Sequence, residues 1–254
     1  MSPSTHDPLM DIDTQRHTFE HAGTVLDVLT CHEAGARAGA RTSRPGVLIV
    51  HTFRGPSPYE EQRAAQVASL GTVAMVADIY GQGVRPLHDR DAARAAMQPF
   101  TQDRARLRER VAANLHELQQ HPLVDPARCV AIGYCFGGLC VLELARMGAA
   151  LAGVVSFHGL LDTPMPATRD AVRAKVLVCH GAADPMAPPA QVQAFCDEMT
   201  AAAADWTVIQ YGHAVHGFTN AAAGGDVASG VAFDPSAEAR SWAHFRTFLD
   251  EVTA

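Results

Sequence analysis

Several features that mark particular classes of protein are scarce or missing in this chain of 254 residues. No apolar run reaches the roughly 18 residues of a membrane span, and the N-terminus lacks the apolar segment of a secretion signal. No basic block offers contacts to phosphates, and the net charge is −7. We therefore expect neither a nucleic-acid nor a membrane partner. Aromatic residues make up only 6%, so the core must be mainly aliphatic.

The cysteines form no CxxC pair and no cluster with histidine at the spacing of a zinc site. Several of them lie in apolar stretches, which is typical of reduced thiols in a cytoplasmic protein. We expect no disulfide framework, no metal and no cofactor. The six positions are Cys31, Cys129, Cys135, Cys140, Cys179 and Cys196.

The hydrophobic pattern predicts an α/β fold. Residues 1–15 are expected to be a loose leader, and 16–33 to form two strands around a turn. Apolar runs typical of buried strands then alternate with helical periodicities, which favours βαβ units and a mostly parallel sheet in one domain, 1–254. The predicted strands are 47–53, 72–79, 128–134, 151–157, 175–180 and 206–211, and the predicted helices are 59–70, 104–120, 137–147, 189–204 and 236–252.

The strongest motif is Gly133-Tyr134-Cys135-Phe136-Gly137, which has the pattern G-x-S-x-G with cysteine in place of serine. It lies between an apolar strand and a helix, where a nucleophile needs a sharp turn and small residues two positions before and after it. The adjacent helix N-terminus favours a thiolate. We interpret Cys135 as a nucleophile and the N–H of Phe136 as an oxyanion donor. The alternative is a glycine-rich turn with an inert cysteine.

An acid and a base follow at later strand ends, in the order that such a nucleophile requires. Asp184 lies in HGAADPMAPP and is predicted to orient an imidazole, although an Asx turn is the alternative. His216 in YGHAVHGF is preferred as the base over His213, because it precedes Gly217-Phe218 and its ring can enter the site while Phe218 anchors the loop. The predicted triad is Cys135, Asp184 and His216.

The segment HTFRG follows the first parallel strand, where the loop supplies a second oxyanion N–H, here that of Phe53. His51 and Thr52 lie at the end of this strand, from which they can reach the nucleophile, although a structural histidine satisfied at the strand end is the favoured interpretation of His51. His158 and His180 also end strands and are expected to be structural. The residues expected to line a substrate pocket are His51, Thr52, Arg54, Tyr80, Tyr134 and Phe218.

Five segments together resemble the dienelactone hydrolases (carboxymethylenebutenolidases): HTFRG, ADIYG, IGYCFGG, HGAADPMAPP and YGHAVHGF. The resemblance extends from Arg16 to the C-terminus. It implies the α/β-hydrolase fold, a three-layer sandwich, with Cys135 as nucleophile, His216 as base and Asp184 as its orienting acid. It also implies a small-molecule ester or lactone substrate, such as an enol lactone, and no cofactor. We expect a monomer or homodimer.

Three positions depart from the family pattern. Thr52 stands where the family usually has a glutamate that holds the resting thiol, and threonine cannot accept its proton. Asn220 and Gly81-Gln82 stand where the enzymes for dienelactone have arginines that bind the substrate carboxylate. Two alternatives therefore accompany the dienelactone hydrolase interpretation: an esterase or thioesterase for a neutral substrate, and a catalytically silent binding protein with this fold.

Overall fold

The computed structural model describes residues 11–37, 39 and 43–254. At its centre lies one eight-stranded sheet, formed by β1 (Ile12–His21), β2 (Thr24–Glu33), β3 (Arg44–Val50), β4 (Val73–Val76), β5 (Val124–Tyr134), β6 (Gly153–Phe157), β7 (Lys175–Gly181) and β8 (Trp206–Tyr211). The spatial order is β1-β2-β4-β3-β5-β6-β7-β8. Strands β3 to β8 run parallel, and β1 and β2 join this sheet as an antiparallel hairpin. The predicted mostly parallel sheet is thus confirmed.

Helices cover both faces of the sheet. They are α1 (Pro58–Ala68), α2 (Arg90–Gln102), α3 (Arg104–Gln119), α4 (Phe136–Arg146), α5 (Pro189–Ala201) and α6 (Pro235–Thr253). One buried cluster joins the sheet to α2, α3, α4 and α5, and a second joins its other face to α1 and α6. The inner strands are buried on both faces, which explains their continuous apolar sequences. The result is the expected three-layer sandwich.

Three differences from the sequence prediction are described here, beside smaller shifts such as β4 at Val73–Val76 instead of 72–79 and β5 from Val124 instead of 128. Strand β1 begins at Ile12, so the expected loose leader is wrong for residues 12–15, while residues 1–10 lie outside the described residues. All ten residues of β1 pair with β2 at the edge of the sheet, where polar side chains face solvent and hide the strand pattern. The mixed-charge run 93–118 was expected to form a solvated helix face, with one helix assigned at 104–120. The structure divides the run into α2 and α3 at Asp103, which ends the first helix and caps the second.

The third difference bears on the site. Strand β3 ends at Val50, so residues 51–53 form a loop rather than the end of the strand predicted for 47–53. In a parallel sheet all carboxyl ends meet at one edge. The loops after β3, β4, β5, β6, β7 and β8 therefore converge, and they carry the residues singled out above. In the part of the chain that the structure describes, no helix is long and apolar enough to cross a membrane.

Candidate active site

Cys135 occupies the sharp turn between β5 and α4. Its backbone has φ 56° and ψ −115°, a conformation that residues other than glycine adopt only under strain. Its N–H donates to the Phe157 carbonyl (3.0 Å), which ties the turn to β6. A Cβ atom on Gly133 would lie 2.0 Å from the Gly137 carbonyl oxygen, and one on Gly137 would lie 2.1 Å from that of Val50. Both glycines of the motif are therefore required by close backbone contacts.

Asp184 and His216 form a hydrogen-bonded pair at the same edge of the sheet. Nδ1 of His216 lies 2.9 Å from Oδ2 of Asp184, and both side chains are almost fully buried. The other carboxylate oxygen, Oδ1, accepts the N–H of Met186 (2.8 Å). The Asp184 side chain therefore also forms the Asx turn named above as the alternative. His213, the competing base, is exposed to solvent. Nε2 of His216 is buried and has no hydrogen bond of ordinary geometry within the described residues.

The charge of Cys135 acts on the His216 ring. Burial opposes the imidazolium, but the Cys135 thiolate and the hydrogen bond to Asp184 outweigh burial and raise the pKa of His216 to about 10. Burial likewise opposes the thiolate of Cys135, but the positive charge of the nearby His216 ring lowers the pKa of Cys135 below its ordinary 9.0. These opposite shifts favour a thiolate–imidazolium pair in the resting protein.

Two backbone N–H groups also act on the Cys135 sulfur. Hydrogen bonds from the N–H groups of Phe53 and Phe136 contribute to lowering the pKa of Cys135. They are the two donors that the sequence predicted for an oxyanion hole. The position of Phe53 is stabilised by Tyr80, whose hydroxyl donates to the Phe53 carbonyl oxygen (2.8 Å). The Tyr80 ring also stacks on that of Phe136, with centroids 5.9 Å apart.

The structure separates the six predicted pocket residues into two groups. Thr52 and Arg54 are half-buried in the loop after β3, and Tyr80 lies against both oxyanion residues. The prediction is wrong for the other three, which leave no surface for a substrate. Their rings fill the interior beside the sheet: His51 is bonded to backbone on both nitrogens, Tyr134 stacks on Phe157, and Phe218 packs on His158 and Tyr211.

Two arginines near the site, Arg85 and Arg54, already have partners other than a substrate carboxylate. Asn220 caps a short 3₁₀ helix with its side-chain oxygen. Arg85 is committed to ion pairs with Asp78 and Asp27. Arg54 donates to the Leu87 carbonyl and lies over the Phe53 ring, and within the described residues it forms no ion pair.

A buried polar network lies behind His216, and sequence reasoning missed it. The Thr219 hydroxyl bonds the Tyr59 hydroxyl (2.7 Å) and Nε2 of His158 (2.8 Å). The His158 ring packs edge-on against that of His216, with centroids 5.2 Å apart. His158 was expected to be structural, and it is fully buried with φ +40°, a strained conformation next to the site. No local pattern in the sequence indicates that Thr219 joins these elements.

Glu60 is a second buried group that sequence reasoning missed. Its carboxylate is inaccessible to solvent and accepts the N–H groups of Thr52 and Ser57, each at 3.0 Å. Burial raises the pKa of Glu60 to about 6. The sequence signal was the capping box Ser57-x-x-Glu60 at the start of α1. In residues 11–37, 39 and 43–254, no group of three or more His, Cys, Asp or Glu side chains could hold a metal ion.

Fold and site together define an α/β hydrolase, with Cys135 in the strand-to-helix turn at the carboxyl edge of the parallel sheet. Two solved structures share this fold over 96% of the chain and 99% of their own lengths. One, named m3DLH, is 34% identical with a TM-score of 0.88. The other, a dienelactone hydrolase-like promiscuous phosphotriesterase, P91, from metagenomic libraries, is 33% identical with a TM-score of 0.87.

Among curated proteins, the uncharacterized protein K02A2.1 of Caenorhabditis elegans is 38% identical over 161 residues, which are 61% of this chain and all of that protein. The model of the dienelactone hydrolase family matches residues 34–253. The chain therefore belongs to the dienelactone hydrolase family and is a hydrolase of esters or lactones. The alternative of a silent binding protein is not retained.

Proposed function

We propose that this protein cleaves an ester or lactone through the thiolate of Cys135, with His216 as acid and base and Asp184 as the group that orients His216. The observation that carries the proposal is the His216–Asp184 hydrogen bond of 2.9 Å beside a cysteine at the N-terminus of α4. The opposite pKa shifts of Cys135 and His216 support it, since they favour the reactive ionic pair.

The reaction proceeds in two halves. The Cys135 thiolate attacks the acyl carbon, and the oxyanion that forms is held by the N–H groups of Phe53 and Phe136. The C–O bond breaks, and the His216 imidazolium gives its proton to the departing oxygen. Water then attacks the thioester while neutral His216 takes its proton. The carboxylic acid product leaves, and the thiolate–imidazolium pair is restored. Asp184 holds the ring in the required tautomer throughout.

This proposal gives Thr52 no part in proton transfer. The family glutamate at this position is replaced by a hydroxyl that accepts the N–H of Arg54 (3.4 Å) and cannot take a proton from a thiol. Glu60, the buried carboxylate nearby, is occupied by the backbone of the same loop. His216 is therefore the acceptor of the Cys135 proton in our proposal, and the thiolate exists before substrate binds.

A second candidate function differs in the charge of the substrate. It is favoured by the positions and partners of the arginines near the site. The two family positions hold Asn220 and Gly81-Gln82 instead of arginine. Of the nearby arginines, Arg85 is paired with two aspartates and Arg54 donates to the Leu87 carbonyl. An anionic lactone would lack its bidentate partner here, which costs much of its binding free energy. We therefore propose a neutral ester or lactone as the preferred substrate over the anionic dienelactone.

The test is hydrolysis of dienelactone and of a panel of neutral esters, thioesters and lactones by the wild type and by Cys135→Ala. Cys196→Ala is the matched control, because Cys196 is a half-buried thiol on α5 outside the site. We expect turnover of neutral substrates that disappears only in Cys135→Ala. Retained turnover in that variant would refute the nucleophile, and a clear preference for dienelactone would refute the neutral substrate class.

Two further expectations belong to this proposal. The six cysteines are free thiols in the structure, which supports a cytoplasmic location. We also keep the expectation of a monomer or homodimer without a nucleic-acid partner, and size-exclusion chromatography with light scattering measures the oligomeric state directly.

A further inference from the structure

His51 is fully buried behind the site, and its two ring nitrogens bond to backbone groups of opposite kind. Nδ1 lies 2.6 Å from the Thr52 carbonyl oxygen, and Nε2 lies 3.3 Å from the Ile79 nitrogen. A carbonyl oxygen can only accept and a backbone N–H can only donate. The proton of the neutral ring is therefore on Nδ1, and the ring links β3 to the loop after β4. Burial lowers the pKa of His51 to about 4, so the ring is neutral at neutral pH.

The Thr52 carbonyl and the Phe53 N–H belong to the same planar peptide unit. A hydrogen bond donated to the carbonyl fixes the plane of this unit and draws electron density toward oxygen, which makes the N–H a stronger donor. That N–H is one of the two backbone donors to the Cys135 sulfur. Hydrogen bonds thus link Ile79 through His51 to the Thr52–Phe53 peptide, and the N–H of this peptide helps to lower the pKa of Cys135.

The neighbouring peptide units are held in the same way, each by one side chain. Glu60 accepts the N–H of Thr52 from the preceding unit (3.0 Å), and the Tyr80 hydroxyl donates to the carbonyl of Phe53 in the following unit (2.8 Å). Three consecutive peptide units therefore have fixed planes. The carbonyl of the central unit, which carries the donor, is bonded by the His51 side chain at 2.6 Å and, at the longer distance of 3.2 Å, by the N–H of Gly55.

We propose that His51 is a positioning residue, which orients and polarises the Thr52–Phe53 peptide as an oxyanion donor. The inference rests on the proposed function, since the Phe53 N–H acts on an oxyanion only if Cys135 attacks an acyl carbon. The competing explanation is that His51 only ties β3 to β4 through Ile79. The two explanations differ in which ring nitrogen matters.

Two substitutions separate the nitrogens. The amide of asparagine ends about where Nδ1 lies, so His51→Asn keeps a donor for the Thr52 carbonyl and loses the partner of Ile79. The longer amide of glutamine reaches the place of Nε2, so His51→Gln keeps the partner of Ile79 and loses the donor. The control is His121→Gln, a half-buried histidine that follows α3, outside the site.

Three measurements are made on each variant: kcat and KM for a neutral ester, the affinity of an aldehyde whose thiohemiacetal with Cys135 carries an oxyanion, and alkylation of Cys135 by iodoacetamide, which forms no oxyanion. For His51→Gln we expect kcat to fall about 10- to 100-fold with little change in KM, somewhat less than the loss of a whole oxyanion donor. Aldehyde affinity should fall in parallel, and alkylation should change far less. His51→Asn should retain most of the activity.

Equal activity of the two His51 variants would overturn the inference, as would losses of hydrolysis that match losses of alkylation. Should neither variant fold, ¹⁵N-histidine NMR of the wild type gives the answer: the Nδ1–H resonance of His51 should shift when the aldehyde binds, and an unmoved resonance would overturn the inference. A wild type that hydrolyses no ester would refute the proposed function instead, while aldehyde affinity still compares the variants.

Discussion

Two opposing effects set the pKa of the Cys135 thiol. Burial disfavours a charged thiolate there, while His216 and two backbone N–H groups favour it. The ion pair prevails, so the pKa of Cys135 lies below its ordinary value. Cys196 provides the contrast, because burial raises the pKa of that half-buried thiol and no cation offsets it.

The pH dependence of Cys135 follows from this balance. Alkylation should reach half its maximal rate below pH 9, because the thiolate forms at the lowered pKa. Hydrolysis should also fall above about pH 10, where His216 loses the proton that the leaving group needs. Mass spectrometry of iodoacetamide adducts measures the pH dependence of alkylation, and a pH–rate profile measures the fall in hydrolysis. In His216→Gln the pKa of Cys135 should rise. Labelling of Cys196 before Cys135 at pH 7 would contradict this prediction.

At the scale of an element, the turn from β5 into α4 depends on backbone packing. Gly137 touches the end of β3, since a Cβ there would meet the Val50 carbonyl at 2.1 Å. Gly212 is the matched position in the loop after β8, where a Cβ would meet no atom within 4 Å. One position is fixed by a neighbouring strand, and the other faces open space.

Gly137→Ala should therefore lower the free energy of unfolding by about 3 kcal/mol or more, because neither backbone can move away from the new methyl group. Gly212→Ala should change it by less than about 0.5 kcal/mol. Urea denaturation of both variants gives the comparison. If Gly137→Ala is as stable as the wild type, the close approach of α4 to β3 is not real.

The loop after β8 is held in place through Thr219. Arg63 of α1 donates to its backbone carbonyl (3.2 Å) and pairs with Glu238 of α6 (2.6 Å). The Thr219 hydroxyl bonds Tyr59 of α1 and His158 after β6. The position of His216 is thus set by elements distant in sequence.

Thr219→Val should leave two buried polar groups without partners and cost about 2 kcal/mol or more of stability. Because His158 packs on His216, kcat should fall as well, and KM should change little. Thr219→Ser keeps the hydroxyl and should restore both quantities. The predictions are checked by urea denaturation and steady-state kinetics. Equal effects of valine and serine would show that the methyl group, and not the hydrogen bonds, matters at this position.

For the whole molecule, buried histidines determine the response to acid. Burial lowers the pKa of His51 to about 4 and lowers those of His158 and His180. The unfolded chain binds protons on these rings near pH 6.5 while the folded chain does not. The stability that they contribute is therefore complete above pH 6.5 and is lost as the pH falls toward 4. For His51 the loss amounts to about 3 kcal/mol.

The urea midpoint should accordingly fall between pH 7 and pH 4.5. Glu60 acts in the opposite sense between pH 6 and 4.5, because its pKa is raised to about 6, but it is one group against three. His51→Asn should flatten the dependence, whereas a change at the exposed His213 should leave it unaltered. A midpoint that stays constant over this range would contradict the burial of neutral histidines.

Whether a feature could be predicted from the sequence depends on how close in sequence its residues lie. The elbow at Cys135 was predictable, because a strand, a turn and a helix lie within a short segment and impose their own spacing. The buried strands were predictable from apolar runs. The first four residues of the edge strand β1, 12–15, were not, because their pairing with β2 rather than their polar composition makes them a strand.

Side-chain direction could not be predicted where packing decides it. Tyr134 and Phe218 were assigned to a pocket by their closeness in sequence to Cys135 and His216, yet their rings fill the interior beside α1 and α6. Thr219 carried no signal, because its partners come from α1 and from the loop after β6.

The α/β pattern, the sharp turn at Cys135 and the order Cys135, Asp184, His216 can all be read from the sequence, since each follows from local periodicity and turn chemistry. The hydrogen bond between Asp184 and His216, the ion pairs of Arg85 and the hydrogen bond of His51 to the Thr52 carbonyl exist only in the folded chain. Those contacts join residues across different strands, and their distances are set by the sheet that forms between them.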